Sequence, residues 1–263
     1  MSSVTWLVAA ALYAGAAALY LAYLWGRHER LARIAGLVLV AAAAAHVVDV
    51  AAHCLKGAHP GTSVREAVSF LSFVIVATYL VMGRRLQLGA VGALVAPATL
   101  LLVIAARVMP ATAPQQGFGA LGRIHISLAV LGVALFAVAA LASALYLVQA
   151  RQLKSKSFGL LFRKGPPLEL LDTVVQRCVN IGFPVFTLAI ILGAIWMARL
   201  GKVALATPQY GLALITWFAF AGLLLTRTIA GWHGRRSALF AIVGFTTSLA
   251  VVVIYLLRAA LRG

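Results

Sequence analysis

The sequence predicts an all-α, polytopic membrane protein with about eight transmembrane helices and both termini outside. Three observations carry that expectation. Of the 263 residues, 63% are hydrophobic and only 10% are charged, and the mean hydropathy is +1.03. Such values exclude an ordinary soluble domain. Apolar stretches of spanning length recur along the chain, and its 22 basic residues gather between them. The net charge of +17 would suggest nucleic acid in a soluble protein. Here the cations flank apolar spans, where they orient helices in the bilayer, so no nucleic-acid partner is expected.

The spans run approximately over 4–25, 34–54, 66–83, 88–108, 124–150, 174–198, 209–229 and 238–257, each near the 20 residues a bilayer core requires. The first is too long for a signal-peptide core and lacks a basic start, while Arg27 and Arg30 follow it as a stop-transfer flank. The connections after the first, third, fifth and seventh spans, with their flanks, hold 14 of the 22 basic residues, against 8 on the other side. The positive-inside rule therefore sets the more basic side in the cytoplasm.

The whole chain, 1–263, reads as a single integral membrane domain without internal repeats. Its longest connection, about 151–172, mixes basic residues with Phe158, Leu160, Leu161 and Phe162. That pattern suits a segment lying on anionic lipid, or the docking of a cytoplasmic partner. Pro166 and Pro167 end it, and Glu169 and Asp172 open the next helix, as the helix dipole favours. Pro97 and Pro184 fall inside spans, where kinks are expected. Trp6, Trp25, Trp196, Tyr210 and Trp232 sit near span ends, in the manner of an aromatic belt. Cys54 and Cys178 fall toward opposite membrane faces, so no disulfide joins them.

The second span carries the chemistry that least suits a bilayer: His46, Asp49 and His53. At 100° per residue they share an arc of roughly 60°, and ionisable residues in a span usually face a bundle interior. His46 lies about 18 Å along the helix from Ile34, in the outer half, and His53 lies near the outer interface. His125 opens the fifth span on the same side, and His59 lies in the outer loop; His28 and His233 are cytoplasmic. Imidazoles from two helices in an apolar bundle commonly hold haem iron through axial ligation. A carboxylate such as Asp49 can orient an imidazole by accepting its second N–H. The residue types also admit other readings. His53 can be solvated, His125 a headgroup anchor, His46 a hydrogen-bonding core residue, and Asp49 a partner of Arg107 or Arg123. A metal site would use the same side chains, without the tight spacing such sites show. No nucleophilic triad or phosphate loop is present, and no catalysis by the chain itself is expected.

Five stretches together resemble the cytochrome c assembly protein family, the CcsA/CcmC/HemX-like membrane haem proteins. They are Arg123-Ile-His125-Ile-Ser-Leu, Pro166-Pro-Leu-Glu-Leu-Leu-Asp172, Leu192-Gly-Ala-Ile-Trp196, Ala213-Leu-Ile-Thr-Trp217 and Gly231-Trp-His-Gly-Arg-Arg236. The eight-helix size looks most like the short YpjD/HemX branch. The resemblance covers nearly the whole chain and is strongest over 120–250. It implies haem handling at the outer face of a bacterial-type inner membrane, with non-covalent, b-type haem. His125 and His46 are the implied iron ligands, with His53 as substitute and Asp49 in support. Its partners would be the lipid bilayer and either another cytochrome c assembly subunit or a cytoplasmic tetrapyrrole enzyme.

The chain also departs from the family. Haem-delivering members carry a Trp-rich W-G-x-x-W-x-W-D-P loop, whereas residues 198–210 contain neither tryptophan nor aspartate. Leu225 stands where a histidine is often found, His233 replaces an arginine, and the last span ends Tyr255-Leu-Leu-Arg without a histidine. Two rival functions stay open: a HemX-type regulator of tetrapyrrole synthesis acting through cytoplasmic loops, and a proton-coupled or small-solute transporter using Asp49 and His46.

Overall fold

The computed structural model describes residues 3–26, 29–55, 59, 63–86, 89–109, 119–157, 159–201, 203–204 and 207–262. His28, Lys56, Pro110, Pro114, Phe158 and Lys202 lie outside the described residues, and so do the side chains of Leu161 and Tyr255. The described residues form nine helices: α1 (Ser3–Trp25), α2 (Arg30–Leu55), α3 (Val64–Leu86), α4 (Gly89–Val108), α5 (Ala120–Lys154), α6 (Leu160–Lys164), α7 (Leu168–Arg199), α8 (Pro208–Ile229) and α9 (Arg235–Arg262). Seven of them (α1–α5, α7 and α8) are long and apolar enough to cross a membrane, judged on the described residues. This is a multi-pass, all-helical membrane protein. The expected eighth span, 238–257, lies within α9. In lipid every backbone N–H and C=O must be satisfied within its own segment, and helices achieve this.

The helix bounds follow local chemistry. Proline at the start of α8, and Pro167 just before α7, occupy positions whose N–H groups would be orphaned anyway. That second start puts α7 six residues ahead of the apolar run expected at 174, so Asp172 becomes part of the helix. Both α4 and α7 continue through their internal prolines, Pro97 and Pro184.

Two groups of helices meet along α3 and α5. In the first, α1 packs on α2 and α4, and α3 packs on α4 and α2. Tyr13, Tyr20 and Tyr23 lie buried along α1. The hydroxyls of Tyr20 and Tyr79 approach to 3.2 Å, directly over Gly92 of α4, where any Cβ would collide with both rings. In the second group α5 pairs with α7 and α9, and α8 with α9.

The α5–α7 seam is antiparallel and built from paired rings and glycines. Phe186 of α7 rests on Gly132 of α5, and Phe136 of α5 rests on Gly182 of α7. A Cβ at Gly132 would stand 3.0 Å from the Phe186 Cβ, and one at Gly182 would stand 2.9 Å from the Phe136 ring. Small residues let membrane helices approach closely, which is the main source of packing energy where lipid is as apolar as the helix. Phe136 then stacks on Phe220 of α8 with ring centroids 3.6 Å apart.

Polar contacts sort by end of the bundle. At one end the start of α1, the end of α2, the start of α3 and the end of α4 come together: Thr5 donates to Asp49 and Arg65 donates to the Met109 carbonyl. At the other end Lys164 of α6 pairs with Glu29 beside α2, with its ammonium 5.0 Å from the Tyr23 ring centre.

Both cysteines are free thiols, Cys54 exposed and Cys178 buried. In mild detergent a bulky maleimide should label Cys54 rapidly and Cys178 only after unfolding. Gly92→Val should lower stability by about 1–3 kcal/mol through overpacking, read as a lower melting temperature in the same detergent. Unchanged melting would mean that Tyr20 and Tyr79 do not meet over α4.

Candidate functional site

The stripe on α2 folds inward as its cost in lipid requires. His46 is 3% exposed and Asp49 4%. His46 sits between α1 and α3, its Nδ1 3.2 Å from the Tyr13 hydroxyl and its Nε2 3.0 Å from Ser69 Oγ. Tyr13 and Phe73 flank the ring edge-on. A neutral imidazole has one donor and one acceptor nitrogen, and hydroxyls satisfy both here in either tautomer. His46 therefore ties α1, α2 and α3 together.

One turn on, Asp49 accepts the Thr5 hydroxyl and lies 3.6 Å from His53 Nδ1. The His53 Nε2 atom is buried and lacks a hydrogen-bond partner. His53 and Asp49 line a narrow cleft with Trp6, Arg65, Glu66, Ser69, Ala106 and Arg107. The Arg107 guanidinium stands 5.4 Å from the Trp6 ring centre. That cleft, about 20 Å3 in volume, holds little more than a water molecule, so its interest lies in donor atoms rather than volume.

His125 belongs to a different seam. It occupies the second turn of α5, and its ring lies against α7 rather than α2. The Nδ1 atom is 2.7 Å from the Ala189 carbonyl oxygen, the ring lies over Gly193, and Trp196 stands 6.0 Å away, centroid to centroid. A carbonyl oxygen only accepts, so Nδ1 must carry the proton and Nε2 keeps its lone pair. Metal-bound histidines are commonly held in this way, by a backbone or carboxylate acceptor on the other nitrogen.

The structure thus gathers His46, Asp49 and His53 in one group and sets His125 in another. His59 is a described residue of the α2–α3 loop. His59 in that loop has its pKa lowered from the ordinary imidazole value by burial first and by the positive charge of Arg123 second.

At the far end lies a cluster that no single-helix pattern brings together. Arg227 at the end of α8 is 6% exposed and grips Asp172 of α7 with both terminal nitrogens, at 2.8 and 3.3 Å. It also donates to Ser237 of α9. The Gly234 N–H donates to Asp172 at 3.2 Å, and His233 Nδ1 lies 3.4 Å from the same carboxylate. Gly234 has φ +68° and sits under the Tyr146 hydroxyl, 2.5 Å from where a Cβ would be. The stretches Pro166–Asp172 and Gly231–Arg236 are therefore two halves of one clamp. The available signal was the scarcity of acids: a chain with five carboxylates and 22 bases rarely spends one without a partner.

With this geometry in place, comparison with known proteins settles the family. The model of the family described as Cytochrome C assembly protein matches residues 62–259. The chain belongs to this family. A relative from Guillardia theta, "Cytochrome c biogenesis protein CcsA", is 29% identical over 218 residues, 72% of this chain and 71% of that protein. Proteins of the same name from Gloeobacter violaceus and Mesostigma viride are 40% and 42% identical over 90 and 88 residues. Those two matches span 34% and 32% of this chain, and only 27% and 29% of the relatives' own length. No solved structure matches significantly. The family match contains His125, Ala189, Gly193, Asp172 and Arg227, and begins beyond α2 with its His46, Asp49 and His53.

Replacing Arg123 with Gln should raise the pKa of His59 toward the free imidazole value, read by NMR titration. An unmoved His59 would show that the Arg123 charge does not reach it. Asp172→Ala should cost about 3–5 kcal/mol, because it strands a buried guanidinium. The double variant Asp172→Ala, Arg227→Met should recover much of that loss in thermal melts.

Proposed function

We propose that this family member is a membrane component of cytochrome c assembly that binds haem non-covalently, without catalysing a reaction itself. The observation that carries the reading is His125: Nδ1–H is committed to the Ala189 carbonyl, which leaves the Nε2 lone pair for a metal. Its position inside the family match supports the same residue, and relatives printed as cytochrome c biogenesis proteins support the pathway. Haem, when bound, would supply an iron centre that imidazole nitrogen can hold.

The donor set of this chain fits that group at two places. His125 offers Nε2 with its tautomer set by backbone. His53 offers a buried, unpartnered Nε2, with the Asp49 carboxylate 3.6 Å from its Nδ1. His46, bonded at both nitrogens, holds the helices that carry His53 and is the weaker ligand of the pair on α2. The lack of any C-x-x-C pair in the sequence fits non-covalent, b-type binding.

The basic-residue asymmetry supports an outer-side position for His53 and His125 with both termini outside, and the family membership supports a bacterial-type inner membrane. Another assembly subunit is the natural partner, because residues 198–210 lack the Trp-rich loop of haem-delivering members. This chain then holds haem for a partner to attach. The regulator and transporter readings draw no support from the names of the relatives.

The test is the absorption spectrum and pyridine haemochrome content of protein purified in mild detergent, with haem supplied. We expect a Soret band, most of it lost in His125→Ala, part of it in His53→Ala, and little in His46→Ala. A wild-type protein that takes up no haem would overturn the reading.

A further inference from the structure

The α5–α7 seam repeats one device three times. His125 faces Gly193, Gly132 faces Phe186, and Phe136 faces Gly182. In each pair one helix contributes a ring and the other a glycine, and the two residue numbers add to the same total, as an antiparallel register demands. Two of the three rings are phenylalanines that serve packing alone. The third, at the end of the seam, is an imidazole with a hydrogen-bonded nitrogen. The same device that packs the helices therefore also holds a titratable, metal-capable ring.

Resting on the haem reading above, we propose that Gly193 is a positioning residue for His125: its missing side chain is the recess that holds the imidazole against α7 and locks the Nδ1–H tautomer. A Cβ at 193 would lie 2.6 Å from Cε1, 2.9 Å from Nδ1 and 3.3 Å from Nε2 of His125. These are its three nearest neighbours, so the space belongs to the imidazole. Real Cβ contacts do not reach 2.6 Å, and both partners are rigid, one a helix backbone and the other a planar ring. The ring would have to lift away. Lifting it breaks the 2.7 Å bond to Ala189, one turn back along α7. Without that acceptor Nδ1 no longer has to carry the proton, and the lone pair is free to sit on either nitrogen.

Glycine at 193 thus acts through His125 and decides which nitrogen meets a metal. The Leu192-Gly-Ala-Ile-Trp196 stretch acquires a physical reason: Gly193 receives the ring and Trp196 borders it at 6.0 Å. Groups that orient a metal-binding imidazole typically change metal affinity 10- to 100-fold when altered.

The experiment labels histidine with 15N in protein held in lipid nanodiscs, assigns His125 by its loss in His125→Ala, and titrates haem into each variant. Wild type should show His125 as the neutral Nδ1–H tautomer. Gly193→Ala should lose that signature and bind haem at least about tenfold more weakly, with helix content unchanged. If Gly193→Ala does not fold, the size-swapped pair Gly193→Ala, His125→Gly should restore folding, because the added Cβ enters the space the ring leaves. An Nε2–H tautomer in wild type, a Gly193→Ala protein with wild-type tautomer and affinity, or an unfolded swap would each overturn the proposal. A wild type with the expected tautomer that takes up no haem, and loses that tautomer in Gly193→Ala, would sustain the positioning role while defeating the haem reading.

Discussion

Close approach of α5 and α7 is the constraint on which the rest of this structure depends. Apolar burial gives no preference between lipid and a neighbouring helix, so packing must come from shape. Glycines opposite rings supply that shape, alternating between the two helices so that each ring enters the other helix's surface. A shift by one residue along the seam would set rings against side chains. The register is therefore unique, and it reaches from Phe136 in the middle of α5 to His125 at its head. The long second helix group then builds outward from it, through the stack of Phe136 on Phe220.

Charged and polar groups divide the remaining work between the two ends. One end collects His46, Asp49, His53, Arg65 and Arg107, each bonded, stacked or facing a shared cleft. The opposite end closes with Asp172 and Arg227, a pair that joins α7 to α8 and reaches α9 through Ser237. Buried ion pairs add little net stability, but breaking one is costly, and this makes them effective at fixing an arrangement. In this way the clamp holds the far end of α7 while the glycine seam holds its length. His125 inherits its position from both.

The histidines show how burial and bonding separate roles that look alike in a list. His46 and His53 stand on one helix face, yet one has both nitrogens engaged and the other has one nitrogen unpartnered. His125 has its Nδ1 held by a carbonyl, whereas the Asp49 carboxylate stands 3.6 Å from the His53 Nδ1, beyond a hydrogen bond. Supported imidazoles are prepared to ligate, because their tautomer is already set. A doubly bonded one is prepared to cross-link helices.

Much of this was legible in the residues themselves. Hydropathy marked the spans, since water and lipid impose length and composition on each helix separately. The α2 stripe pointed inward because a periodicity of 3.6 put three ionisable groups on one face. The five stretches of family resemblance named the family that the comparisons then confirmed. Other features were out of reach. That Asp172 meets Arg227 depends on how α7 and α8 cross, 55 residues apart. That Gly193 belongs to His125, and Gly132 to Phe186, depends on the offset between two helices. Single-helix patterns fix which face turns inward, but not which residue of another helix lies opposite. Only the packed bundle decides that, because the offset minimises the energy of all the ring–glycine contacts together, and no local stretch of chain contains both halves of any one.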